Sequence, residues 1–491
     1  MRRAVKQQSC VLVMLLGVVS LRSGLCDAEE PTAAAATAAM RRAVAFFREN
    51  CSASGGYVYR VSSDFRYHQG EEPVGPTTAW LEPPGTPAVG MTYLEAYRRT
   101  QDPLLLEAAR ATADALIRGQ LVSGGWDNRI EYGPAERSRY AYRTDVADPE
   151  QLGKLRNTTT YDDDKSQSAI RFLTQLDQEL TFKDERLHEA ALYALDGVLK
   201  AQYPNGAWPQ QYTRPCDPAE YPVLKASLPE SWPREFSGVK YSAYYTLNDG
   251  TISDIIATLL EAWDVYRDER YRSAACRGGD FFVLAQLPEP QPGWAQQYDQ
   301  EMHPAWARKF EPPAVSGGES QGVMQTLLLL YRRTGDRKYL EPIPRALAYY
   351  RTCLRNDGQL ARFYELKTNK PLYFTRKYEL TYRDDDMPTH YGFVVSSKLD
   401  RIEQDYQKVL GTPSEKLWPS GQPKPPKMSR SLTEKATQAI ATLDDRGAWV
   451  EAGEIATLDK SEVQTDVIES KTFIKNVATL AEYIAAKRSQ E

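Results

Sequence analysis

Two acidic stretches that each lead into a helical pattern are the first candidates for chemistry. Tyr161-Asp162-Asp163-Asp164-Lys165 opens one, and Leu247-Asn248-Asp249-Gly250-Thr251 opens the other. Three adjacent carboxylates repel one another unless water or a cation neutralises them. A hard cation such as Ca2+, which takes six to eight oxygens, would do so. A single aspartate at a helix start also satisfies free amide N–H groups and the helix dipole, so capping is the competing role for each stretch. Two aromatic-flanked arginines follow, in Trp306-Ala307-Arg308 and in Leu360-Ala361-Arg362-Phe363-Tyr364. Guanidinium is a planar fork of donors that suits a carboxylate-bearing ligand. Tyr203 to Tyr212, YPNGAWPQQY, sets Tyr203 and Trp208 beside Gln210, aromatics and an amide that suit a sugar platform.

Other patterns carry less. Gly318-Glu319-Ser320-Gln321-Gly322 fits the G-x-S-x-G form of serine hydrolases, but a nucleophile elbow needs a strand before it. Pro312-Pro313 disfavours a central strand, and Ser316 with Glu319 reads as a capping box opening the next helix. Asp384-Asp385-Asp386, near His390, reads as a solvated loop. Four histidines, at 68, 188, 303 and 390, are too scattered for a zinc site. Net charge is −5, which argues against nucleic acid as partner. Arg2, Arg3 and Lys6 followed by apolar residues 10–21 read as an export signal over residues 1–26, too short to span a membrane. The expected location is therefore secreted or periplasmic. Beyond the signal, Cys51, Cys216, Cys276 and Cys353 are widely spaced, and the sequence assigns no pairing.

The elements that must position these residues repeat. Four segments share an apolar helix, an acidic turn, a second helix and a closing Trp or Leu. The turns are Asp102, Asp184, Asp268 and Asp336, and the closing residues are Trp126, Trp208, Trp294 and Leu360. Apolar residues recur at i, i+3, i+4 and i+7, the period of an amphipathic helix. Such αα-hairpins must stack to bury their faces. An all-α fold is expected, an α/α toroid occupying residues 27–491 as a single domain. Helices at Thr37–Asn50 and Thr465–Arg488 begin and close it, and 412–430 is a Pro-rich loop. Equivalent helix starts in a toroid converge on its mouth, so Asp162, Asp249 and the Arg308 loop are expected on one face.

With these loops identified, the sequence resembles the family 10 polysaccharide lyases, the pectate (pectic acid) lyases of α/α-toroid fold. The resemblance rests on YPNGAWPQ, YTLNDGT, TTTYDDDKSQSAIRFL, WARKFEPPAVSGGES and ARFYELKTNKPLY, and it covers about 89–393. It implies β-elimination of polygalacturonate, Ca2+ bridging the uronate carboxylate to protein aspartates, and an arginine that takes the C5 proton. Carried across motif by motif, the metal ligands fall on Asp162, Asp163 and Asp249, the base on Arg308, and a substrate-holding arginine on Arg362. Asp163 stands where the family has Asn. Lys165 stands where it has a small residue, placed to offset that charge or reach substrate. Gly206-Ala207-Trp208 replaces Gly-Gly-Trp. The remaining readings are an α/α-toroid glycoside hydrolase acting on a uronic-acid-containing polysaccharide, and a glycan-binding protein without catalysis. An arginine base predicts an activity optimum above about pH 8.

Overall fold

A computed structural model describes residues 30–418 and 426–490. The export signal and the centre of the Pro-rich loop lie outside those residues. Thirteen helices are described: α1 (Ala33–Asn50), α2 (Thr86–Thr100), α3 (Pro103–Arg118), the single turn α4 (Pro134–Arg137), α5 (Lys165–Glu179), α6 (Glu185–Lys200), α7 (Thr251–Tyr266), α8 (Glu269–Ala285), α9 (Glu319–Thr334), α10 (Pro342–Thr352), α11 (Leu399–Leu410), α12 (Arg430–Ala441) and α13 (Ser470–Arg488). No described helix is long and apolar enough to cross a membrane.

The four acidic turns do the same local job. Asp102, Asp184 and Asp268 accept from the backbone N–H of Leu104, Leu187 and Arg270, opening α3, α6 and α8. Asp336 accepts from Lys338 and opens the short 3-10 turn before α10. Each such cap is worth about 1 kcal/mol. α9 ends at Gly335, in the left-handed region at φ 72°, which glycine enters without a Cβ clash.

α13, α2, α5, α7, α9 and α11 form an inner succession, each packed on the next through α11. On α7 the buried face is Ile252, Ile255, Ile256, Leu259 and Leu260, one stripe of a 3.6-residue period. The outer partners are α1, α3, α6, α8, α10 and α12. α1 packs on α13, so the two chain ends complete one hairpin of an α/α toroid, and α12 packs on α13.

The closing tryptophans fasten this arrangement. The indole N–H of Trp126 donates to Leu116 O at 2.9 Å, that of Trp208 to Val198 O at 2.9 Å, and that of Trp294 to Phe282 O at 2.8 Å. Trp449 repeats the bond to Ala439 O at 2.8 Å after α12, a recurrence the sequence pattern did not include. Each ring is buried, and each bond engages a carbonyl in the last turn of an outer helix, where i+4 donors run out.

The helical toroid is as expected, and short ladders accompany its repeats. Thr159–Thr160 pairs with Gln211–Tyr212, Tyr245–Thr246 with Gln297–Tyr298, and Ala314–Ser316 with Phe363–Glu365. Larger still, Val450–Ala456 and Glu462–Glu469 form a hairpin that continues through Arg60–Ser62 into a five-stranded sheet. Thr465 therefore lies in a strand, and the closing helix starts at Ser470. Alternation of Val463, Thr465 and Val467 with polar residues is a two-residue period that the helical reading passed over.

Candidate active site

Asp162–Asp164 and Asn248–Gly250 are 3-10 turns that lead directly into α5 and α7, and the two turns touch. They share an uncommon backbone. Asp163 sits at φ 48°, ψ 41° and Asp249 at φ 49°, ψ 29°, each followed by a second left-handed residue, Asp164 and Gly250. Left-handed backbone costs an L-residue about 1–2 kcal/mol, least for Asp and Asn. This conformation stops the aspartates from acting as caps. No side chain in either turn caps its helix, and Asp164 is instead held by Arg171 at 2.5 Å. The competing capping role is thereby set aside.

Released from the helix ends, the carboxylates converge. One oxygen from each of Asp162, Asp163 and Asp249 lies within 4.8 Å of the others. Burial, then the neighbouring Asp163, raises the Asp162 carboxyl above its ordinary value. Burial, then Asp163, Asp162 and Glu319, pushes Asp249 up to about 7, although Arg308 pulls it down. Oδ1 of Asp162 and Oδ1 of Asn248 are buried without a hydrogen-bond partner. Crowded carboxylates beside orphaned oxygens form an all-oxygen donor set of the kind a hard divalent cation takes.

Lys165 fits the first of its two expected roles, offsetting charge. Its side chain is 2% exposed, and its ammonium lies 2.9 Å from Glu82 Oε2 and 3.1 Å from Asp163 Oδ2. Burial opposes its charge, but Asp163 and Glu82 outweigh burial and its pKa is raised. It offsets the extra acidity at Asp163, and its ammonium is committed to these two carboxylates. Its partner Glu82 comes from the loop before α2, far away in sequence.

Arg308 is 40% exposed. Its Nε donates to Glu311 Oε2 at 2.8 Å and its Nη2 to Glu311 Oε1 at 2.5 Å. The Asp162 and Asp249 carboxyls and the Tyr241 phenol all feel its charge. Burial would lower the guanidinium pKa, but Glu311 outweighs it and the net direction is upward. Arg362 donates from Nη1 to Glu319 Oε1 at 3.0 Å and from Nε to Gly392 O at 2.6 Å. Both arginines lie against Tyr391, at 5.5 and 4.8 Å from its ring centre. Glu311, Tyr241 and Tyr391 escaped the sequence reading, and Glu319 entered it only as a helix cap. Only Glu311, three residues from Arg308, left a local signal.

Two expected substrate contacts are corrected. Trp208 is fully buried, with its indole N–H committed to Val198 O. Tyr203 is buried as well, stacked on Tyr221 with centroids 4.1 Å apart and donating to Ala243 O at 2.8 Å. Their segment has no freedom to turn outward. Gly206, at φ 93°, comes so close to Arg277 that a Cβ would lie 2.1 Å from its carbonyl oxygen. The segment reaches the acidic site through Gln210, whose side chain lowers the Asp162 carboxyl against the upward push of burial. Replacing Trp208 by Phe is expected to leave substrate KM unchanged and to lower unfolding stability by about 1–3 kcal/mol, through one orphaned carbonyl and a small void. Chemical denaturation beside a KM measurement checks this.

Ser320 is no nucleophile. It is buried, accepts from Trp294 N at 3.0 Å and from the Tyr350 hydroxyl at 2.5 Å, and donates to Trp294 O at 3.2 Å. Ser166 bonds Trp126 in the same way at the equivalent place on α5. Ser316 accepts from Glu319 N at 3.2 Å, half of the expected capping box, while the Glu319 carboxylate turns to the Ser316 hydroxyl and Arg362. Asp384, Asp385 and Asp386 are exposed and paired with Arg355, Arg383 and Arg376, as a solvated loop should be. The four described cysteines are free thiols.

The pectic acid lyase family model matches residues 120–357. A search of curated proteins finds no match. Among solved structures, the chain is similar to a mutant family 10 polysaccharide lyase from Cellvibrio cellulosa in complex with trigalacturonic acid. Identity is 19%, with 66% of this chain and 98% of that chain covered, at TM-score 0.44. It is also similar to cellobiose 2-epimerase from Bacillus thermoamylovorans, at 13% identity, 92% and 98% coverage and TM-score 0.45. A GH76 α-mannanase from Bacteroides thetaiotaomicron follows at 11% identity, 93% and 96% coverage and TM-score 0.41. The family match spans Asp162, Asp163, Asp249 and Arg308 but ends before Arg362. Residues 120–357, which carry the acidic cluster and its facing arginine, match the pectic acid lyase family model, and the chain is a polysaccharide lyase.

Proposed function

We propose that this lyase cleaves polygalacturonate by β-elimination, with Ca2+ held by Asp162, Asp163 and Asp249 and with Arg308 as the base. The convergence of three carboxylates from two successive inner-helix starts carries this reading. Ca2+ bound there would supply positive charge to a uronate carboxylate, making the proton at C5 easier to remove. Arg308, facing the cluster, takes that proton. The electron pair forms the C4–C5 double bond, and the C4–O bond to the leaving sugar breaks. Arg362 holds a uronate carboxylate through its guanidinium face. Lys165 keeps Asp163 in place and limits the net negative charge.

A hydrolase needs two carboxylates flanking the glycosidic bond, about 5–9.5 Å apart. Oxygens gathered within 4.8 Å of one another suit a shared cation better than that task. Incubation with polygalacturonate and Ca2+, followed by ultraviolet absorbance of the new C=C bond, tests the proposal. An increase that a chelator abolishes is expected. New reducing ends without any absorbance increase would instead identify a hydrolase, and neither signal would leave a binding protein. Residues 1–26 support export, with the uronan met outside the cytoplasm.

A further inference from the structure

Glu311 is a fully buried carboxylate surrounded by donors. Arg308 supplies its Nε, its Nη2 and its own backbone N–H, the last at 3.0 Å. Gln296 Nε2 donates at 2.6 Å and the Tyr391 hydroxyl at 3.0 Å. Glu311 N in turn donates to Arg308 O at 2.9 Å, closing the turn that carries both residues. A carboxylate with two oxygens offers about four acceptor directions, so this one is saturated. Burying it without a cation would be very unfavourable. The paired guanidinium is consequently fixed in plane, with Nη1 the only nitrogen not engaged by Glu311.

We propose that Glu311 is the positioning residue of the elimination, fixing the plane of Arg308 so that Nη1 alone faces substrate. This rests on Arg308 acting as the base. Tyr391 braces the pair by donating to Glu311 while both arginines lie against its ring. The charged and titratable groups facing Arg308 are Glu311 on its own loop, Tyr391 across the cleft, Tyr241 on the lead into α7, and Asp249 and Asp162 on the two turns. Glu311 is the nearest of the anions and the one in direct contact.

Glu311→Gln keeps the shape and removes the charge. It is expected to lower kcat about 10²-fold with little change in KM, as loss of orientation does. The sign of the pH effect follows from the charge. Glu311 holds the Arg308 pKa up, so its removal moves the rising alkaline limb of the kcat profile to lower pH, by about one unit. A purely structural residue would lower kcat without moving the limb. Tyr391→Phe, which leaves every charge in place, is expected to lower kcat less and keep the limb. An unchanged limb in a folded Glu311→Gln enzyme overturns the proposal.

A binding-independent measurement covers the case where Glu311→Gln does not fold. In ¹⁵N spectra of the wild type, the Nε–H signal lost in Arg308→Lys should exchange slowly with water, and fast exchange there overturns the clamp. If Arg308→Ala retains activity while that signal exchanges slowly, the base assignment has failed and the clamp has not.

Discussion

Arg308→Ala is expected to reduce kcat on polygalacturonate by about 10²–10⁴-fold, the usual contribution of a positioned base. KM should change little, because Arg362 and the acidic cluster remain to bind substrate. Some stability will be lost as well, since Glu311 would keep only Gln296, Tyr391 and the backbone N–H of residue 308 as partners. Rates are therefore to be measured well below the melting temperature, with folding checked by circular dichroism. Added guanidinium ion should restore part of the rate to the alanine variant. The pH dependence has a defined sign. Arg308 is protonated at neutral pH, and Glu311 raises its pKa further. The active, deprotonated fraction therefore grows as pH rises, and the rate should still be climbing above about pH 8. Activity that peaks near pH 5, or an alanine variant within a few-fold of wild type, would remove Arg308 from the base role.

Loss of the cation should be nearly as severe. Chelation is expected to abolish the ultraviolet signal, and Asp249→Asn to weaken Ca2+ binding by about tenfold or more. Binding can be read without turnover. Ca2+ at about 100 times its Kd should stabilise the folded wild type by about 2.7 kcal/mol, and should do far less for Asp249→Asn. Burial and the neighbouring aspartates push Asp249 up to about 7. Above that pH the carboxylate is ionised and ready. Below it the ion must displace a proton, so affinity should fall by about tenfold for each further unit of acidity. An affinity that stays flat between about pH 8 and about pH 6 would show that Asp249 does not share the ion.

The hairpins were legible in the sequence because their causes are local. A 3.6-residue apolar period, an aspartate before each outer helix and a glycine after α9 act within a few residues of one another. The same locality marked Asp162 and Asp249 as the residues that open inner helices. Repetition of the hairpin then predicted that those openings meet on one face, and their 3-10 turns do touch. The hairpin at 450–469 was missed because its alternating pattern falls beside, and partly within, a segment with helical composition.

What the tertiary structure decided is how each side chain is used. Trp208 and Tyr203 have the composition of a sugar platform, but helix ends and a stacked ring claim them inside. Lys165 looked free to reach outward until Glu82 appeared against it. Arg308 owes its fixed plane to Glu311, three residues away, and to Gln296 and Tyr391, which only folding brings close. The left-handed turns that divert Asp163 and Asp249 from capping are likewise held by packing between α5, α7 and α9. Sequence by itself determined where the chemistry-bearing residues enter the fold, because helix starts and turns are set by neighbours along the chain. Which of them remain free for chemistry was decided by contacts between residues tens to hundreds of positions apart.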